Sequence, residues 1–270
     1  MRKFVLPITS AIALAATLAA SAVPPRKPPT LGISASPTLL YLQGTGRSTI
    51  KVANIARKST TVTVGTGNYT ISSDGHVKVD PKVSPNRTAR AWLTVKPKRL
   101  RLAAGASTYV TVTSHPPRRA ETGDHNALVL LTAGGKKGQV GVQTRLGIGV
   151  LVRTPGTVER KLVVRKVRVK RKAKTRYINV VVRNAGNINE RVPKGRLTVT
   201  LKRGSRTVKT LRAPFFELLP KMRVHTTIRY RGRLHGRVTA VVRIRPERGV
   251  ASGPRAPDLS PVERTFRIRL

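Results

Sequence analysis

Residues 92–112 read WLTVKPKRLRLAAGASTYVTV and residues 116–131 read PPRRAETGDHNALVLL. Apolar and polar side chains alternate along these runs, and Pro97, Gly105 and the bend from Pro116-Pro117 to Gly123 interrupt them. A period of two residues is that of a strand with one buried face. Strands of this length, separated by turn signals about every ten residues, spell out an antiparallel β-sandwich.

The same pattern extends in both directions. Upstream, Leu31 to Leu42 is β-rich and broken by Pro37, which suits an edge strand. Runs Thr49 to Asn54, Thr60 to Val64 and Thr88 to Val95 read as strands, with Asn68 to Gly75 a turn-rich connection. Downstream, Thr108 to Thr113, Ala127 to Thr132 and Val140 to Val152 bring the count near the seven or so strands of an Ig-like domain. Thr154-Pro155-Gly156 marks a boundary. A shorter version follows: Leu162 to Val164, Val167 to Val169, Tyr177 to Arg183, Gly195 to Leu201, Val208 to Leu211, Arg223 to Tyr230 and Val238 to Ile244. Asn54 and Asn184 each end an alternating strand, Gly105 and Pro220 each precede one, and Gly123 and Gly236 each introduce one. The expected fold class is therefore all-β: two tandem Ig-like antiparallel sandwiches over residues 31–154 and 155–246. Residues 247–270 form a linker and a C-terminal tail or strand.

Met1-Arg2-Lys3, an apolar stretch from Phe4 to Ala20 and the small residues Ala20-Ser21-Ala22 have the layout of a secretory signal over residues 1–22. An uncleaved anchor is the rival reading, since the apolar stretch nearly reaches bilayer length. Residues 23–30, VPPRKPPT, form a proline-rich spacer. The chain has no cysteine, so an exported protein of this kind must rely on its apolar cores rather than on disulfides. Lysine and arginine number 54 against 10 acidic residues, a net charge of +44. Residues 31–154 hold 18 basic and 4 acidic side chains, residues 155–270 hold 32 and 6. Such a surface attracts polyanions, with strong salt dependence.

Several pieces of residues 31–154 resemble the Ig-like domain of the periplasmic pilus chaperones, the PapD-like superfamily. They are the Pro37-containing first strand, the strand ending at Asn54, the turn from Pro97 to Gly105, Pro116-Pro117 to Gly123-Asp124, and the strand and linker from Arg145 to Pro155. Over residues 31–246, Asn184-Ala185-Gly186-Asn187 and Glu217-Leu218-Leu219-Pro220 also resemble exported Gram-positive proteins related to the WxL-interacting group, in which a similar domain is associated with peptidoglycan. The chaperone resemblance implies an arginine in the first strand and a lysine in the last strand of domain one, anchoring a client's C-terminal carboxylate. This chain departs there: Leu31 to Leu42 has no basic residue, and Gly147 and Gly149 stand where the lysine is expected.

Two groups of residues suggest binding. Lys166, Arg168, Lys170, Arg171, Lys172 and Lys174 lie in one basic run, and in a strand with Val167 and Val169 inward the first three project outward about 7 Å apart. Leu146, Ile148, Val150 and Val152 alternate onto one face of the last strand of domain one; they line its core or take part in pairing with a partner's strand. Catalysis finds little to build on. Asp124-His125 point to opposite faces of a strand and read as a turn carboxylate beside a surface histidine. His225, His235 and Glu217 lack the spacing of a metal site. Trp92 reads as core filling. Asn68-Tyr69-Thr70 and Asn86-Arg87-Thr88 fit the glycosylation acceptor pattern but carry little weight.

The expectation from sequence is a non-catalytic, exported envelope protein without cofactor, metal or small-molecule substrate. Its expected partner is a cell-wall anionic polymer or peptidoglycan, or a surface protein, with nucleic acid bound only unspecifically. The alternatives are an assembly chaperone that pairs with client strands and an unspecific binder of nucleic acid or acidic membranes.

Overall fold

The structure, a computed structural model, describes residues 32–72, 76–79, 82, 88–134, 143–246 and 259–270. The expected signal peptide, the proline-rich spacer, Asp74, Asp80, Asn86, residues 140–142 and most of the 247–264 linker lie outside the described residues. No helix among the described residues is long and apolar enough to cross a membrane.

Two separate apolar cores define two sandwiches. Domain one contains β1 (Ile33–Ser36), β2 (Leu39–Gln43), β3 (Arg47–Asn54), β4 (Thr60–Gly67), β5 (Tyr69–Ile71), β6 (Val77–Val79), β7 (Leu93–Lys96), β8 (Arg99–Leu102), β9 (Ser107–Ser114), β10 (Gly123–Gly134) and β11 (Gln143–Thr154). One sheet runs β1-β3-β9-β7 and faces a second of order β2-β11-β10-β4-β8. Ile50, Val52, Val110 and Val112 from the first meet Val62, Val129, Leu131, Ile148 and Val150 from the second, all fully buried. Burying such aliphatic side chains contributes about 1.5–3 kcal/mol each, as an upper estimate. The first extended segment changes sheets at Pro37. β1 pairs antiparallel with β3, whereas β2 runs parallel to β11. Each piece is an edge strand, where a residue without an N–H is tolerated.

Domain two contains β12 (Leu162–Lys172), β13 (Thr175–Asn184), β14 (Glu190–Val192), β15 (Leu197–Arg203), β16 (Arg206–Arg212), β17 (Phe216–Leu218), β18 (Arg223–Tyr230), β19 (Arg237–Ile244) and β20 (Val262–Arg269). Sheet β12-β13-β18 packs on sheet β16-β15-β19-β20, and β14 and β17 form a small pair. The C-terminal segment is thus a strand: β20 is in register with all of β19, and Ile268 and Leu270 enter the core. Arg264 Nη1 donates to the Val164 carbonyl at 2.9 Å, joining the two sheets at that edge.

Some local readings change. Thr88 to Val95 is not one strand: Arg90–Trp92 form a 3-10 turn and only Leu93–Lys96 is extended. The stretch from Asn68 to Gly75 contains β5, which forms a hairpin with β6. The turn from Pro97 to Gly105 contains β8, paired to β4. Leu162 to Val169 is one strand with a bulge between Val164 and Lys166. The extra residue keeps Val164 and Val167 both inward while exposing Arg165 and Lys166.

Candidate functional site: an open strand edge beside an interdomain corner

β11 is flanked by β10 along its whole length, but by β2 only from Gly149 to Arg153. The Gly149 N–H donates to the Thr38 carbonyl at 3.0 Å, which sets the phase. Backbone groups of alternate residues point to the same side of a strand, so those of Arg145 and Gly147 face the same edge, beyond the reach of β2. Both residues are exposed. Among the described residues no strand pairs with this edge over residues 143–148.

The row read as core lining or as a strand-pairing surface faces inward. Ile148, Val150 and Val152 are fully buried, and Leu146 is partly buried against the same core. Their side chains fill domain one; backbone groups of the intervening residues offer the docking potential. Gly149 marks where β2 begins to cover the strand: a Cβ there would lie 2.8 Å from Leu39 Cδ1.

β11 ends in a polar corner shared by both domains. Arg153 Nε and Nη2 donate to Asp124 Oδ1 and Oδ2 at 2.7 and 3.0 Å. The Asn189 backbone N–H donates to Asp124 Oδ2 at 2.7 Å, and the Asn189 and Asn126 side-chain amides bond each other reciprocally at 2.9 and 3.2 Å. Tyr69 Oη donates to Asn126 Oδ1 at 3.0 Å. The Asp124 N–H reaches the Asn187 carbonyl at 2.8 Å. Gly123 makes this approach possible: its φ is +113°, and a Cβ would sit 2.1 Å from the Asn187 oxygen. Next to Asn189, the buried Glu190 takes a bidentate contact from Arg160 at 2.8 and 2.7 Å. Beside this corner, Tyr69, Ile71 and Leu128 of domain one bury an apolar contact with Leu219 of domain two.

Burial pushes the Asp124 carboxyl up from its ordinary range, against the opposing pull of Arg153. Burial likewise raises Glu217, against Arg191 at 3.5 Å. Tyr41 is raised chiefly by burial, with Glu217 adding to the shift and Arg191 opposing it. The corner thus holds paired, desolvated groups whose work is positioning.

This corrects the reading of Asp124-His125 as a surface pair. Both are buried; Asp124 faces the corner while His125 packs its ring 4.4 Å from that of Trp92 and contacts the Glu121 carbonyl at 2.8 Å. One hint was local: with only 10 acidic residues in the chain, a carboxylate beside a strand start is a candidate structural partner for arginine. His225 sits near the start of β18 and His235 lies beyond its far end, so a strand length separates them. Among the described residues no group of three His, Cys, Asp or Glu side chains could hold a metal ion.

The cationic run divides. Lys166, Arg168, Lys170, Arg171 and Lys172 line one recess of about 970 Å³ on the outer face of β12-β13-β18, while Lys174 lines a separate recess at the hairpin end with Arg231 and Arg233. Arg223 and His225 of β18 also line the larger recess; their membership depended on strand order, which the local sequence does not carry.

Two Ig-like sandwiches in this arrangement form the fold of the PapD-like fimbrial chaperones. The crystal structure of the class 5 fimbriae chaperone CfaA matches 87% of this chain and 98% of its own, with a TM-score of 0.52 and 14% identity. A chaperone–tip adhesin complex of CFA/I fimbriae biogenesis matches over the same shares, with a TM-score of 0.52 and 13% identity. No known family's sequence profile matches the chain, and no curated protein matches it. These likenesses do not support the kinship with the WxL-interacting group. They also overturn the expected partner, a cell-wall polymer or peptidoglycan: these two structures are of chaperones, one of them in complex with a protein, the tip adhesin.

Proposed function

We propose that this protein is an assembly chaperone acting outside the cytoplasm, and that it holds an extended client strand along the open edge of β11. The observation that carries this reading is that no strand among the described residues pairs with the backbone of Arg145 and Gly147, on a scaffold with the two-domain chaperone fold. An added strand gains main-chain hydrogen bonds at such an edge, and alternate side chains supply selectivity. The interdomain corner fixes the angle at which domain two stands beside the edge. Because the carboxylate-anchoring pair of the pilus chaperones is missing from the expected positions, strand pairing sets the client's register here.

The test uses a capped ten-residue peptide alternating valine and threonine, with amide hydrogen exchange of β11 as the readout. Protection of the Arg145 and Gly147 amides on peptide addition is expected. Gly147→Pro removes one edge donor while leaving the β10 ladder intact, and it should abolish both binding and protection. Undiminished binding by Gly147→Pro, or protection confined to other strands, would overturn the proposal.

A further inference from the structure

Sheet β12-β13-β18 presents an outer face that the strand-edge reading does not use. Its register builds three parallel rows. Lys166, Arg168 and Lys170 of β12 stand opposite Val181, Asn179 and Tyr177 of β13. Those three stand in turn opposite His225, Thr227 and Arg229 of β18. Lys166, Arg168 and Lys170 are exposed, as are Arg223 and Arg229. Adjacent strands lie about 4.8 Å apart, so the rail of three cations on β12 faces a sparser row on β18, where Arg223 and Arg229 flank His225 and Thr227, about 10 Å away across the uncharged Val181, Asn179 and Tyr177. Among the described residues no carboxylate lines the recess between them. The opposite outer face of domain two differs, because Glu263 of β20 sits on it, 3.9 Å from Arg243.

We propose that this face is a docking groove for an extended acidic segment of a partner protein. Charge complementarity selects an anion, and three features select a polypeptide. Acidic residues at every second position of an extended chain repeat about every 6.8 Å, the spacing of Lys166, Arg168 and Lys170 along β12. The recess has a floor between rails, whereas a lipid surface meets a flat or protruding patch, and none of the exposed large apolar residues lies on this face for insertion. Among the described residues Tyr177 and His225 are the only rings lining the groove, too few for the stacking platform of a single-stranded nucleic-acid binder. The groove shares no residue with the β11 edge and stands or falls apart from it.

The test measures fluorescence anisotropy with the purified full-length protein at about 150 mM salt, where long-range attraction is screened beyond about 8 Å. The probe is a labelled twelve-residue peptide alternating glutamate and threonine. Comparison probes are a peptide of the same composition with its glutamates in one block, a single-stranded oligonucleotide and phosphatidylglycerol vesicles. Lys166→Gln/Arg168→Gln/Lys170→Gln is compared with Arg237→Gln/Arg267→Gln/Arg269→Gln, which removes equal charge from the opposite face. The first triple variant should weaken the alternating peptide about tenfold, the loss expected for three exposed ion pairs, and the second less than threefold. The alternating peptide should also bind more tightly than the blocked one. Equal losses in the two variants, equal binding of the two peptides, or tighter binding of oligonucleotide or vesicles would overturn the proposal.

Discussion

The same asparagine corner closes a strand in each domain. Asn54 Nδ2 donates to the carbonyls of Lys58 and Leu102 at 2.9 and 3.2 Å, and its Oδ1 accepts from the Ala56 N–H at 3.0 Å. Asn184 Nδ2 donates to Ile188 and Leu218 at 2.7 and 3.3 Å, and its Oδ1 accepts from the Gly186 N–H at 3.0 Å. Both side chains are buried. Each pins a turn to a neighbouring strand by satisfying carbonyls that burial would otherwise leave unpaired. The adjoining turn differs between the two. Domain one places Gly105 at φ +73°, whereas domain two places Lys221 at φ +62°. Domain two thus keeps the corner and accepts a backbone conformation that glycine holds without strain.

The largest effect expected on this comparison comes from the junction. Asp124→Ala leaves the Arg153 guanidinium buried without its partner, a loss of about 3–5 kcal/mol. Calorimetry should then show the two domains unfolding separately at a lower temperature, with faster proteolysis between Thr154 and Leu162. A single unshifted transition would mean that the corner does not couple the domains. Next come Asn54→Ala and Asn184→Ala. Asn54→Ala removes four hydrogen bonds, one of them to the Ala103 carbonyl at 2.9 Å, and Asn184→Ala removes three; the expected cost is about 3 kcal/mol each. In the Asp124→Ala background each should lower only its own domain's transition; movement of the same transition by both would break the equivalence of the corners.

The turns give smaller shifts of opposite sign. Lys221→Gly should stabilise domain two and Gly105→Ala destabilise domain one, each by about 1 kcal/mol in chemical denaturation. A Cβ at Gly105 would meet no atom within 4 Å, so its cost reports backbone conformation alone. The smallest effect concerns Glu217. Its carboxyl is raised by burial, so its contribution is full below the ordinary carboxylate pKa and is lost as pH rises through the raised value. Wild type should gain stability relative to Glu217→Gln between pH 7 and pH 4, by on the order of a degree in melting temperature. A gain in the opposite direction would mean that Arg191, rather than desolvation, governs the site.

Long alternating strands were legible because period-two patterning needs several residues to declare itself. β3, β9, β13, β18 and β19 were readable on that basis, whereas β5, β6, β14 and β17 have three residues each and show no period. The burial of the start of β10 was hidden for another reason. Asp124-His125 read as a turn carboxylate beside a surface histidine, yet both are buried, because domain two and the Trp92 ring cover them. The outward row of Lys166, Arg168 and Lys170 was visible in the sequence, but its companion row on β18 was not. The open edge of β11 was equally invisible, since it depends on where β2 stops.

The sheet change at Pro37 has a mechanical consequence. β2 and β11 lie side by side in the same direction, and β11 continues into the linker to domain two. Tension drawn through the chain pulls these two strands along their lengths in opposite senses. The bonds between Leu39–Gln43 and Gly149–Arg153 then bear the load in shear and must rupture together, whereas an antiparallel terminal pair would peel apart one bond at a time. Domain one is clasped against pulling forces by its own first segment.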